Sequence, residues 1–158
     1  TATYTCRFEN VFVPNDWILA HDANNFINKI KSEFVLNQTG MALGLVKASI
    51  KNMDLLQKKQ NKANLYLDLQ PDELNEELNT LRNKVYDLVN NPNSFKEVLQ
   101  VRLDGANLAI KAAHSEMLHS GAAGYFSSSP TSRRLREAYF ISIVTPAVKH
   151  LKKLLKTM

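Results

Sequence analysis

The chain has 158 residues, about one domain's worth, with a formal net charge of +5 and a single cysteine, Cys6. One cysteine excludes a disulfide framework and a cysteine-based metal site, and it fits a reducing, cytoplasmic compartment. No apolar run reaches the length of about 20 residues that a membrane span needs, and nothing has the form of a signal peptide, so no membrane span is expected.

In chain order, residues 3–13 predict a strand. Tyr4, Cys6 and Phe8 alternate with Thr3, Thr5, Arg7 and Glu9, and Pro14 ends the run. A lone strand leaves its backbone edges unpaired, so this one implies a sheet elsewhere and a piece of a longer chain. Trp17 is expected to anchor the segment. Asp22 is the expected N-cap of a first helix over 23–62, with Phe26, Ile30, Phe34, Met41, Leu45, Ala48 and Leu55 as its apolar face. Gly40 and Gly44 lie inside that helix, where Gly costs about 1 kcal/mol, so close packing is the expected reason for them.

Pro71, Asp72 and Glu73 start a second helix whose Leu74, Leu78, Leu81, Val85 and Leu88 form the cleanest apolar stripe in the chain. Asn90 to Asn93 end it. Ser94 and Glu97 make a capping box for a third helix with a small inner face of Gly105, Ala109, Ala112 and Ala113. A Gly- and Ser-rich loop over 120–129 follows. Pro130 then opens a fourth helix carrying Phe140, Ile143, Ala147, Leu151 and Leu154. Its end is cationic, with Lys149, His150, Lys152, Lys153 and Lys156 between leucines; this is an amphipathic helix end that suits the helix dipole, and no nucleic-acid surface. His21, His114, His119 and His150 lack the spacing of a metal site. Glu116 stands three residues before His119, but no second copy of such a motif exists, so no metal is expected. The predicted architecture is all-α: a four-helix up-down-up-down bundle over 21–158, preceded by one residual β-strand and linker in 1–20.

Three stretches resemble the acyl-CoA dehydrogenase superfamily. Phe8-Glu9-Asn10-Val11-Phe12-Val13-Pro14 is similar to the Phe-x-x-Val-x-Val-Pro that ends the family's β-domain, and Ala42-Leu43-Gly44-Leu45 is similar to its first bundle helix. The third stretch is the most specific. Gly121-Ala122-Ala123-Gly124-Tyr125, then Pro130, Arg136-Glu137-Ala138 and Ile143 match Gly-Gly-x-Gly-aromatic, Pro, Arg-Asp-Ala and Ile without a gap. The resemblance covers nearly the whole chain and implies the family's C-terminal helical domain. It further implies FAD bound with help from Gly121, Ala122, Gly124 and Tyr125, a homodimer or homotetramer, and an acyl-CoA substrate.

The same alignment puts Thr145 where the family keeps its catalytic Glu. A threonine has no useful basicity near neutral pH. A minority of the family carries the base on the first bundle helix. That position is Phe34 here, and Glu33, about 100° away around the helix, is the nearest carboxylate. Pro146 stands where the family's Gly breaks the last helix, so the break is expected to persist. The family's Arg-x-x-Phe-Gly has no counterpart over Gln57–Asn64, where Lys59 or Lys62 offers charge without bidentate geometry. The resemblance thus implies an FAD-dependent oxidoreductase acting on CH–CH bonds of acyl-CoA thioesters, as in fatty acid metabolism. The alternatives are a flavin-dependent monooxygenase of the same fold and a non-catalytic scaffold bundle.

Overall fold

The computed structural model describes residues 4–57, 60–90 and 94–158. Among them the chain is all-α, with helices α1 (Ala23–Gln57), α2 (Pro71–Asn90), α3 (Phe95–Ser120), α4 (Pro130–Ile143) and α5 (Val148–Thr157). Short 3-10 turns cover Asn15–Trp17, Gln60–Tyr66 and Gly121–Tyr125. No helix among the described residues is long and apolar enough to cross a membrane. The chain divides into two compact units, residues 1–31 and 32–158.

In the first unit, the strand expected over 3–13 does not form in its described part, and Thr3 lies outside the described residues. The reason is the missing ladder: extended backbone becomes a strand only when a neighbour takes its N–H and C=O groups. The side chains of this segment are correspondingly bare. Phe12 is 86% exposed, Cys6 is exposed, and Trp17, expected to anchor the segment, is 72% exposed. Asp22 caps α1 as expected, its Oδ1 accepting from the Asn25 N–H at 3.0 Å.

The second unit is organised around α3, which packs against α2, α4 and α5. The Ser94 hydroxyl accepts from the Glu97 N–H at the start of α3, and the Ser129 hydroxyl accepts from the Ser132 N–H at the start of α4, where Pro130 holds a first-turn position. Leu74, Leu78, Leu81 and Leu88 of α2 are buried, as their spacing predicts. So are Gly105, Ala109, Ala112 and Ala113 of α3. A Cβ on Gly105 would lie 3.0 Å from the Thr39 methyl and 3.3 Å from the Ala42 Cβ, so this glycine is what lets α3 and α1 approach closely.

Two expectations for α1 are corrected. Its buried face is not Phe34, Met41 and Leu55, which are exposed, but the adjacent stripe of Val35, Thr39, Ala42, Val46, Ser49 and Met53; Leu45 belongs to it as expected. The smaller side chains of that stripe permit the close approach at Gly105, which the bulkier set would block. The helix also ends at Gln57 rather than at 62, and Lys59 lies outside the described residues. The turn that follows is pinned by Asn64, whose side-chain amide donates to the His119 carbonyl at 3.0 Å, and by Gln70, which donates to the Leu67 carbonyl at 2.6 Å.

The expected fourth helix is interrupted. α4 stops at Ile143, the Thr145–Pro146 peptide is cis, and α5 starts at Val148. Pro146 has no N–H to donate back into α4, so the helix cannot run through it. Ala147 and Leu151 are buried as expected, while Ile143 is exposed and Phe140 and Leu154 are partly so.

Candidate functional site

The inner face of α3 carries two charges buried within an otherwise small and apolar surface. Glu116 lies three and four residues beyond Ala113 and Ala112, which places it on the same face. It is 0% exposed. Arg134 of α4 meets it in a bidentate pair, with Nε donating to Glu116 Oε2 at 2.7 Å and Nη2 donating to Oε1. Thr131 Oγ1 donates to the same carboxylate at 2.9 Å, and Asn52 Nδ2 of α1 does so at 2.7 Å. Ser120 Oγ lies 3.0 Å from Thr131 Oγ1. The hydrogen bond to Glu116, with the negative charges of Glu116 and Glu137, holds the Arg134 guanidinium above its ordinary pKa against the opposing effect of burial. The carboxylate is buried and ion-paired, and the network ties α1, α3 and α4 together.

The second buried charge is Arg102, also 0% exposed. Among the described residues no carboxylate pairs with it. Nη2 donates to the Ile141 carbonyl at 2.6 Å and Nε donates to Gln38 Oε1 at 3.2 Å. Burial pulls the guanidinium below its ordinary pKa. Gln38 in turn donates from Nε2 to the Thr145 carbonyl at 2.9 Å, within the break between α4 and α5.

A groove of 380 Å³ lies between α1 and α4, lined by Gly40, Met41, Gly44, Leu45, Arg134 and Phe140 among others. Close packing, the expected reason for Gly40 and Gly44, is overturned: a Cβ at either position meets nothing within 4 Å. The two glycines floor an open groove instead. Gly40→Ala and Gly44→Ala are therefore each expected to stabilise the chain by about 0.5–1 kcal/mol, since helix propensity improves with no clash. Thermal denaturation of the two variants checks this, and a lowered midpoint would mean that the groove is filled.

The structure places the sequence-derived site residues as follows. Gly121 ends α3 with φ 58° and ψ −148°, a conformation open essentially to glycine, and its N–H donates to the Leu118 and Met117 carbonyls. Ala122 and Tyr125 are exposed, Tyr125 to 85%. Gly124 is buried for an internal reason: a Cβ there would lie 2.7 Å from the Ser120 Cβ. The loop leaves open space over Gly121 and an exposed aromatic face at Tyr125, and it does not enclose a ligand by itself. Arg136 is exposed and donates to the Ser132 hydroxyl at 2.8 Å. Thr145 is exposed. Glu33 is exposed as well, beside a shallow depression bordered by Leu88 and Val98. Glu33 and Gln38 are five residues apart, about 140° around α1, so Glu33 and the Thr145 break do not share a helix face.

Arg102 and the ion-paired role of Glu116 were missed by motif reasoning. The signal available was positional: both fall on the small inner stripe of α3, where a charge needs a buried partner. Among the described residues no three of His, Cys, Asp and Glu come close enough to hold a metal ion. His119 is buried with Nε2 3.0 Å from the Leu69 carbonyl, and His114 is exposed. The chain matches no model of a known protein family and no curated protein.

Proposed function

We propose that this chain is the C-terminal helical domain of an FAD-dependent oxidoreductase of the acyl-CoA dehydrogenase type, arranged as an up-down-up-down bundle. The observation that carries the reading is the interruption of the last helix over Val144–Ala147. It falls at the position where the resemblance expects the family's active-site break. The Gly121–Tyr125 turn at the end of α3 supports the same reading, because it offers exposed backbone and an aromatic face as one wall of a flavin site.

FAD, when bound, supplies the hydride acceptor for oxidation of an acyl thioester. Of this chain's own residues, Tyr125 and Gly121 are those that would border the cofactor. Thr145 stands at the base position and has no carboxylate, which favours a flavin monooxygenase of the same fold as the second reading. In either case the bare apolar side chains of the first unit and of α1 are surface for the remainder of a homo-oligomeric, cytoplasmic flavoprotein. The test is the flavin content of the full reading frame after purification. One FAD per chain, reduced at least several-fold in a Tyr125→Ala variant, is the expected result. A flavin-free protein would leave the non-catalytic scaffold as the better account.

A further inference from the structure

We infer that Arg102 and Gln38 form a positioning relay that holds the Val144–Ala147 break in place from inside the helical unit. α4 loses backbone bonds at its end. In a continuing helix the Ile141 carbonyl would accept from the Thr145 N–H, and the Ser142 carbonyl from residue 146, which is proline and has no N–H. α4 instead ends with Val144 N–H donating to the Phe140 carbonyl at 2.9 Å, and side chains from two other helices take over beyond it. Arg102 of α3 donates to the Ile141 carbonyl, and Gln38 of α1 donates to the Thr145 carbonyl.

The orientation of Gln38 follows from its partners. Arg102 only donates and the Thr145 carbonyl only accepts, so the amide oxygen must face the arginine and the amide nitrogen must face the break. A cation at the C-terminal end of α4 also complements that helix's dipole. Arg102 is fully buried, and among the described residues it has no acidic partner and its Nη1 no acceptor. A buried charge in that state is a poor choice for stability alone. One of its two hydrogen bonds goes to the Ile141 carbonyl beside the break, and the other to the side-chain oxygen of Gln38, which itself donates to the break. This inference does not depend on the flavin reading, because it concerns only how the break is held.

Gln38→Glu separates positioning from stability. The carboxylate still accepts from Arg102 and gives it a countercharge, but it can no longer donate to the Thr145 carbonyl. Hydrogen exchange of the 158-residue chain is the readout. Peptides covering 140–151 are expected to exchange about ten-fold faster or more in Gln38→Glu and Gln38→Leu, with α2 and the first half of α3 unchanged. The Gln38→Glu melting temperature should stay at or above that of the unaltered chain. Arg102→Lys, which keeps a donor without the fork, should give an intermediate rate. The inference is overturned if both Gln38 variants leave 140–151 at its original rate, or if exchange rises equally throughout the chain.

Discussion

Arg134→Met is expected to destabilise the chain by about 3–5 kcal/mol, among the largest effects of any single substitution outside the apolar core. Glu116 has no water contact, and Arg134 supplies its only opposite charge within ion-pair distance among the described residues. Removing the guanidinium strands a buried carboxylate that Thr131 and Asn52 can hydrogen-bond but cannot neutralise. The double variant Glu116→Met/Arg134→Met should recover most of the loss, because two apolar side chains of similar volume remove both the charge and its desolvation cost. Urea denaturation of the single and double variants measures this. A single variant within about 0.5 kcal/mol of the unaltered chain would show that the pair is solvated and that α1, α3 and α4 are not joined through it.

The second large effect distinguishes the two apolar stripes of α1. Met53 is 0% exposed, so Met53→Ala is expected to cost about 2–5 kcal/mol. Phe34 is 54% exposed, so Phe34→Ala should change stability by less than about 0.5 kcal/mol, although it removes the larger side chain. Denaturation midpoints of the two variants settle the order. The reverse order would mean that α1 packs with the opposite face inward.

That contrast also shows what the sequence could and could not disclose. α2 was legible because its leucines form one stripe against a polar background, and the starts of α1, α2, α3 and α4 were legible because Asp22, Pro71, Ser94 and Pro130 are local signals that act within one turn. α1 was not, because it carries two neighbouring seven-residue repeats: Phe34, Met41, Ala48 and Leu55 beside Val35, Ala42 and Ser49. Size favoured the first set, but the partner's shape at Gly105 of α3 selects the second, and a partner's shape is not written in the helix itself. The strand over 3–13 shows the converse. Its alternation is real, yet strand formation depends on a neighbour that the described residues do not supply.

The candidate site divides in the same way. The break at Pro146 follows from the chemistry of a single residue and was readable. The Glu116–Arg134 pair and the Arg102–Gln38 relay join residues 18 and 64 positions apart, and only the tertiary arrangement brings them together. Glu116 illustrates the difference. In sequence it stands beside His119 as half of a metal motif, whereas in the structure four donors from three other residues, Arg134, Thr131 and Asn52, bond to it.

The most direct test of the functional account is the visible spectrum of the full reading frame, recorded anaerobically before and after adding a series of acyl-CoA thioesters. The account predicts flavin bands that bleach with one of them. Flavin bands that persist with every thioester would contradict a dehydrogenase and favour the monooxygenase reading that Thr145 suggests.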